Sequence, residues 1–266
     1  MNIHPSASIH RTAIVEDGAI VEANVSVGPF AFIGSDVVLR EGVAVKSHCV
    51  IKGWTEIGEL TEIFPFAAIG DAPQDLKYRG ERTRLIIGAR NCIREGVTMN
   101  TGTTGGRGIT RVGSDCLFMT GSHVGHDSIV GNRVIMANQA ALGGHCVVED
   151  FAVISGLSGV HQFARVGRSA FVGALTFVDR DVIPFTQVQG SPGKLRGVNL
   201  IGLRRRQITT KEIQEVKTAY RALFGPGELV FQQRISKLAA AGPHCDCVNR
   251  ILEFVNENTK RKYMKP

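Results

Sequence analysis

A six-residue repeat runs through the first two thirds of the chain and limits its possible folds more than any other feature. A large apolar residue returns at every sixth position from Ile3 to Ile69 and again from Val112 to Val178. Three weaker hexads between these runs begin at Ile87, Ile93 and Met99, which brings the total to 27. A small or compact residue stands four positions later in most hexads.

The period of six does not fit an ordinary helix or strand, whose apolar residues return every 3.6 or 2 positions. One large and one small inward residue per hexad are typical of a β-helix. Each hexad then supplies a short strand and a corner, and three hexads close one triangular coil. Coils stack at the usual strand spacing of about 4.8 Å. The sequence therefore predicts a mainly β protein built on a parallel β-helix.

Two segments interrupt the repeat, and the repeat ends near residue 190. Residues 75–86 and 105–111 are predicted to be loops that leave the coil, where function tends to concentrate. Helices are predicted over 209–224, 228–241 and 245–258, the first with a Thr209–Glu212 capping box and a stop at Gly225. We expect a β-helix domain over 1–190 and a C-terminal α-helical domain over 191–266 that covers the open end of the coil.

Composition narrows the partners of this chain. The net charge of +7 favours an acidic partner, whereas the low aromatic content of 6% and the lack of a groove-reading pattern argue against nucleic acid. The sequence has no apolar run of 18 residues and no signal-peptide pattern, so no membrane span is predicted. Six scattered cysteines then indicate reduced thiols in the cytoplasm.

Stacking of the coils predicts one polar edge, because residue i lies beneath residue i+18. His126 then lies under Gly144, and Gly144 under Gln162. Asp127 lies under His145, with His161 beside Gln162 and His123 close by. Both predicted loops also leave after the third hexad of a coil, so they should share this edge.

Alternative interpretations of these histidines remain open at this point. A single outward histidine is usually a solvated turn residue, and the repeat alone is also compatible with a nonenzymatic scaffold. The γ-type carbonic anhydrases use a similar fold to hold zinc with three histidines, although their histidines are spaced differently from His123-x-x-His126. His244, Cys245 and Cys247 lack a second cysteine pair and are better explained as a helix start.

Four motifs strengthen one interpretation. "GDAPQDLKYRGE", "HVGHDSIVGN", "GVHQF" and "GVNLIGLRRR" resemble the UDP-N-acetylglucosamine O-acyltransferase family of hexapeptide-repeat acyltransferases, and the resemblance covers nearly the whole chain. It implies a left-handed β-helix and a homotrimer with active sites between adjacent chains. It also implies transfer of a 3-hydroxyacyl chain from acyl carrier protein to the glucosamine 3-hydroxyl of UDP-N-acetylglucosamine, the first step of lipid A biosynthesis. The sister N-acyltransferases carry an N-terminal uridine-binding domain, for which hexads starting at Ile3 leave no expected place.

The resemblance also assigns catalytic roles. His126 matches the family's general base, and a neutral imidazole suits removal of a hydroxyl proton near pH 7. Asp127 would orient this imidazole, and the Gly144 N–H would stabilise the oxyanion. No covalent intermediate, cofactor or metal is expected, and Cys146 occupies an inward small-residue position that indicates core.

The remaining contacts also follow from the resemblance. Substrate-binding residues are expected in the first loop, along the polar edge and in the tail: Gln74, Asp75, Lys77, His123, His145, His161, Gln162, Asn199, Arg205 and Arg206. Two positions depart from the family pattern. Ile201 replaces an acidic residue, and Ala174 replaces a glycine that helps to set acyl-chain length, so the preferred chain length does not follow from the resemblance.

Overall fold

The computed structural model describes residues 2–257 and 261–266, in which a parallel β-helix is followed by a small helical region. All 27 hexads form strands, as the repeat predicts, and two further strands follow. The strands are β1 (Asn2–Ile3), β2 (Ser8–Ile9), β3 (Ile14–Val15), β4 (Ile20–Val21), β5 (Ser26–Val27), β6 (Phe32–Ile33), β7 (Val38–Leu39), β8 (Ala44–Val45), β9 (Val50–Ile51), β10 (Trp54–Ile57), β11 (Glu62–Ile63), β12 (Ala68–Asp71), β13 (Arg84–Ile87), β14 (Cys92–Ile93), β15 (Thr98–Asn100), β16 (Ile109–Val112), β17 (Leu117–Phe118), β18 (His123–Val124), β19 (Ile129–Val130), β20 (Ile135–Met136), β21 (Ala141–Leu142), β22 (Val147–Val148), β23 (Val153–Ile154), β24 (Gly159–Val160), β25 (Arg165–Val166), β26 (Phe171–Val172), β27 (Phe177–Val178), β28 (Thr186–Gln189) and β29 (Lys194–Val198).

Three parallel sheets form the sides of a triangular prism. Sheet A contains every third strand from β1 to β25, and sheet C contains every third strand from β3 to β27. Sheet B runs from β2 to β26 and continues into β28 and the antiparallel β29. From β1 to β27, where no loop intervenes, paired residues are 18 apart, as in Asn2↔Ile20. Successive coils therefore place equivalent residues directly above one another.

The core follows from the two inward positions of each hexad. Large residues such as Ile33, Ile51 and Ile69 are fully buried, and the small residue Cys49 is buried beside them. Cys146 is likewise fully buried, and burial raises the pKa of its thiol to about 12. The prediction that Cys146 belongs to the core is confirmed.

Two loops leave the coil, and both connect sheet C to sheet A. They span residues 72–83 and 101–108, so both begin and end three or four residues earlier than the sequence predicts. Assigning 84–86 and 109–111 to loops is wrong, because Arg84 pairs with Trp54 and Ile109 pairs with Arg84 in the ladder of sheet A. Residues 84–86 and 109–111 extend their strands because their backbone groups pair with the neighbouring strands, although they precede the large apolar residue of their hexads.

Within the described residues, four helices follow the last strand, and their residues form a second apolar cluster. They are α1 (Leu200–Arg205), α2 (Thr210–Phe224), α3 (Phe231–Ala240) and α4 (Asp246–Asn256). The predicted capping box of α2 is confirmed, because the Thr209 hydroxyl accepts from the Glu212 N–H and the Glu212 carboxylate accepts from the Thr209 N–H. Cys245 is the N-cap of α4, which confirms the predicted helix start at that position.

An ion-pair network centred on the buried Arg165–Asp181 pair attaches α4 to sheet A. Arg165 of β25 donates to Asp181 at 2.7 Å and to Glu257, and its guanidinium lies 4.0 Å from the centroid of the Phe254 ring. This contact fixes α4 against the last coils. Within the described residues, no helix has both the length and the apolar character needed to cross a membrane.

Candidate active site

The turns from sheet C to sheet A in the last coils bring together most of the polar residues singled out by the sequence. We call the residues His126, Asp127, Gly144, His145 and Gln162 in these turns the histidine edge. The N–H of His145 donates to the carbonyl of His126 at 2.8 Å, so successive turns are hydrogen-bonded along the edge. The vertical order of these residues is the one that the 18-residue spacing predicts.

His126 and Asp127 form a hydrogen-bonded pair at the centre of this edge. The Nδ1 atom of His126 lies 2.8 Å from Oδ2 of Asp127. The Asp127 side chain is fully buried, whereas that of His126 is 13% exposed. Burial raises the pKa of the Asp127 carboxyl, but hydrogen bonds from His126, Thr103 and Arg107 outweigh burial and hold it below its usual range. Asp127 is thus an ionised partner behind an accessible imidazole.

Gly144 lies directly against the outer edge of this imidazole. A Cβ atom at position 144 would lie 2.5 Å from Nε2 of His126, so any side chain there would displace the ring. Across residues 2–257 and 261–266, the Gly144 N–H forms no hydrogen bond with another residue. The glycine therefore leaves both the imidazole nitrogen and a backbone donor available on the same side.

His145 and His123 flank the pair. The His145 ring packs edge-on to His126 with centroids 5.0 Å apart and stacks on Phe163 at 4.4 Å. Nδ1 of His123 lies 2.7 Å from the Thr98 hydroxyl. Burial lowers the pKa of both flanking histidines, so both favour the neutral form.

His161 and the first loop flank the histidine edge. His161 accepts at Nδ1 from Arg261 at 2.8 Å. In the first loop, Asp75 accepts from the Lys77 N–H at 2.9 Å, and its charge partly offsets the effect of burial on His145. The side chains of Gln74, Lys77 and Gln162 are exposed, without a hydrogen bond to the pair.

A second cluster occupies a different corner of the prism, in the turns from sheet A to sheet B. Three guanidiniums surround the ring of Phe151: Arg206 at 3.5 Å, Arg168 at 4.8 Å and Arg133 at 5.5 Å from its centroid. Burial, with the charges of Arg168 and Arg133, lowers the pKa of Arg206 to about 10. We call this cluster, with Arg205 beside it, the arginine edge; it lines a cavity of about 880 Å³.

Asn199 connects this cavity to the start of α1. Its Oδ1 accepts from the Gly202 N–H and its Nδ2 donates to the Ser169 carbonyl, each at 3.0 Å. Ile201, which is 65% exposed, also lines the cavity. Ala174 lies in the exposed turn between β26 and β27, at the third corner. A single chain therefore keeps the predicted site residues on three separate edges.

The geometry also addresses the zinc alternative. Among the described residues, one group could offer three metal ligands, formed by His126, Asp127 and His145 with ligand atoms within 4.8 Å of one another. This group contains two histidines, and His126 uses Nδ1 for its hydrogen bond to Asp127. The arrangement fits an imidazole–carboxylate pair better than the three-histidine site weighed from the sequence.

Several residues near these clusters escaped the sequence analysis. Thr103 and Arg107 of the second loop bind Asp127, and Arg133, Arg168 and Phe151 build the arginine edge. For the arginine edge, the sequence does carry a signal, because Arg133 and Phe151 are 18 residues apart and this spacing places them at the same corner of successive coils. The loop contacts have no comparable periodic signal.

Comparisons with known proteins identify the family and the fold of this chain. A family profile described as "Udp N-acetylglucosamine O-acyltransferase; Domain 2" matches residues 181–264. Acyl-[acyl-carrier-protein]--UDP-N-acetylglucosamine O-acyltransferase of Rhizobium johnstonii is 44% identical over 99% of this chain and 97% of its own length. The enzyme of the same name from Paracoccus denitrificans is 52% identical over 77% of each chain.

The chain belongs to this O-acyltransferase family. Its fold is similar to the solved structure of LpxA from Acinetobacter baumannii, with a TM-score of 0.90 at 34% identity over 97% of this chain and 99% of that one. The predicted left-handed parallel β-helix with a C-terminal helical part is thereby confirmed. The predicted resemblance to the UDP-N-acetylglucosamine O-acyltransferase family is also confirmed.

Proposed function

We propose that this protein transfers a 3-hydroxyacyl chain from acyl carrier protein to the glucosamine 3-hydroxyl of UDP-N-acetylglucosamine, the first step of lipid A biosynthesis. The observation that carries the proposal is the hydrogen-bonded His126–Asp127 pair beside Gly144. The names of the relatives support the substrates. The net charge of +7 suits docking of an acidic carrier protein.

His126 acts as the general base. Its Nε2 atom takes the proton from the sugar hydroxyl, and the oxygen attacks the thioester carbonyl. Asp127, bonded to Nδ1, stabilises the resulting imidazolium and holds the ring in place. The Gly144 N–H donates to the oxyanion of the tetrahedral intermediate. Cleavage of the C–S bond releases a thiolate, which takes the proton back from His126.

The remaining site residues bind and select substrates. Gln74, Asp75 and Lys77 contact the nucleotide sugar from the first loop, and His123, His145, His161 and Gln162 line the cleft. Asn199, Arg205 and Arg206 bind the uridine diphosphate, because guanidinium groups match phosphate oxygens in charge and geometry. Ala174 contributes to acyl-chain selection.

A homotrimer joins the separated edges. The arginine edge and Ala174 lie at the two corners that flank sheet B, whereas the histidine edge lies at the opposite corner. Placing the histidine edge of one chain against sheet B of its neighbour completes the site. The outer face of sheet B supports this contact with a strip of half-buried apolar side chains: Leu117, Ile135, Val153 and Phe171.

We further propose a cytoplasmic location and a division into domains 1–190 and 191–266.

Replacement of His126 tests the proposed function. His126→Ala should lower kcat for transfer from 3-hydroxyacyl carrier protein to UDP-N-acetylglucosamine by about two to four orders of magnitude. His10→Ala, which changes an exposed histidine of the first coil, is the matched control and should keep full activity. Undiminished transfer by His126→Ala would exclude His126 as the base, and absence of transfer by the unaltered protein would reject the reaction. Loss of activity on chelation, with stoichiometric bound zinc, would instead favour the metal alternative.

A further inference from the structure

The second loop encloses the carboxylate that lies behind His126. Residues 101–108 cover Asp127, and two backbone N–H groups of this loop donate to its carboxylate oxygens. The Thr103 N–H lies 3.0 Å from Oδ2, and the Arg107 N–H lies 2.7 Å from Oδ1. The Arg107 guanidinium also donates to the Asp127 carbonyl at 2.6 Å. The loop therefore holds both the backbone and the side chain of Asp127.

Among the loop's contacts with the Asp127 carboxylate, one differs from the others because a side chain makes it. The Thr103 hydroxyl donates to Oδ2 of Asp127 at 2.7 Å. That oxygen also lies 2.8 Å from Nδ1 of His126. Thr103 is buried, and a Cβ at Gly106 would lie 2.5 Å from Cγ of Asp127, so the loop fits closely around the carboxylate.

We propose that Thr103 is a positioning residue, whose hydroxyl fixes Oδ2 of Asp127 and thereby sets the orientation and the basicity of His126. This inference rests on the proposed role of His126 as the base. The hydroxyl adds a donor to the two backbone N–H groups that restrain the carboxylate, and it binds the oxygen that faces His126. The imidazole therefore keeps Nε2 directed toward the open side of the edge. The same donor withdraws charge from Oδ2 and moderates its pull on the imidazolium proton.

The direction of the pH effect follows from this contact. Without the hydroxyl, Oδ2 becomes a stronger acceptor for the imidazolium proton, so His126 holds its proton to higher pH. The acid limb of the kcat profile should then move upward. Among residues 2–257 and 261–266, His123, His145 and Arg107 are the titratable or charged groups beside the pair, and Asp75 acts on His145; the substitutions below leave all four unchanged.

A matched pair of variants isolates the hydroxyl oxygen. Thr103→Ser and Thr103→Ala both lack the methyl group and differ only in the oxygen. We expect Thr103→Ser to stay within about threefold of the unaltered kcat, and Thr103→Ala to lose about tenfold or more, because hydrogen bonds to charged groups are the stronger class. The KM for each substrate should change less than about twofold, since Thr103 binds no substrate in this scheme.

A neighbouring threonine provides the control. Thr104→Ala removes an exposed hydroxyl that lies 3.4 Å from Glu81, and it should leave kcat and its pH profile unchanged. Thr103→Val retains the original side-chain volume without the hydroxyl, and it replaces Thr103→Ala in the comparison if the smaller variant does not fold. Melting temperatures establish which variants are folded.

The results that would overturn the inference are distinct from those that would overturn the proposed function. Equal kcat values and equal acid limbs for the serine and alanine variants would reject a role for the hydroxyl. If Thr103→Ala lowers kcat but leaves the acid limb of the kcat profile unchanged, Thr103 contributes only through packing. Full activity of His126→Ala in the same series would reject the base itself, whatever the threonine variants do.

Discussion

The histidine edge and the arginine edge are built from the same turn geometry but have opposite electrostatic character. The turns of each edge place one non-glycine residue per turn in the left-handed region of backbone conformation. These residues are Asp127, His145 and Phe163 in the turns that carry the histidine edge, and Arg133, Phe151 and Ser169 in the turns that carry the arginine edge. Such residues cost free energy in isolation, and the ladders of hydrogen bonds above and below hold them in place. The scaffold thus repeats one backbone corner with different side chains.

The difference between the two edges lies in how their polar groups are satisfied. On the histidine edge, protein donors surround the Asp127 carboxylate, and burial favours neutral His123 and His145. On the arginine edge, Arg168 pairs with Asp150 at 3.0 Å, whereas Arg206 donates to the Phe151 carbonyl at 3.3 Å. Burial, and then its cationic neighbours, lower the pKa of Arg206. The first arrangement suits proton transfer, and the second suits binding of an added anion.

Removal of the Asp127 charge should give the largest effect. Asp127→Asn keeps the shape of the side chain but weakens stabilisation of the imidazolium, so kcat should fall by about two to four orders of magnitude with little change in KM. Steady-state kinetics with both substrates measure this split. Asp115→Asn, at an exposed turn, is the control and should retain normal kcat. A variant with altered KM and normal kcat would assign Asp127 to binding instead.

Removal of an arginine should have a smaller and different effect. Arg206→Ala is expected to raise the KM for UDP-N-acetylglucosamine by about one to two orders of magnitude, because a charged hydrogen bond to phosphate is lost, while kcat is largely kept. Increasing salt should weaken sugar-nucleotide binding more in the unaltered protein than in this variant. Arg11→Ala, on the first coil, is the matched control. A fall in kcat alone would contradict the separation of roles.

The sequence predicts the histidine edge well because its order depends only on the repeat. A fixed period of six places His126 beneath Gly144, and backbone ladders enforce that register without reference to the side chains. The capping box of α2 is similarly local, since Thr209 and Glu212 need only each other. Features that depend on short-range pairing or strict periodicity can therefore be predicted from one sequence.

The contacts of the loops and of the arginine edge depend on tertiary packing instead. Thr103 reaches Asp127 across a loop that has no period, and Arg168 and Arg206 meet at Phe151 from separate parts of the chain. Arg84 and Ile109 join the sheet because a neighbouring strand offers hydrogen bonds, although their hexads lack the usual pattern. None of these contacts leaves a repeated signal in the sequence.

Mixed oligomers test whether the two edges meet across chains. Co-expression of His126→Ala and Arg206→Ala should restore activity at low UDP-N-acetylglucosamine, because some interfaces combine an intact His126 with an intact Arg206. Random equal mixing in a cyclic trimer gives about one quarter of the unaltered activity. Differently tagged chains allow the mixed species to be purified and assayed. A simple average of the two variants' activities would show that each site lies within one chain.

Acid titration should reveal a smaller difference between the edges. Burial raises the pKa of Asp127, but its hydrogen bonds dominate and hold that pKa below the unfolded value. Stability from this group is therefore present above the unfolded pKa and is lost as the pH falls through the folded pKa. The pKa of Arg206, about 10, leaves that side chain charged throughout this range. The measurement is the urea midpoint of unfolding between neutral pH and about pH 3.5. This midpoint should fall less steeply with decreasing pH for Asp127→Asn than for the unaltered protein. Arg206→Ala should show the same pH dependence as the unaltered protein. Equal slopes for all three would mean that Asp127 is not held in its ionised form by the fold.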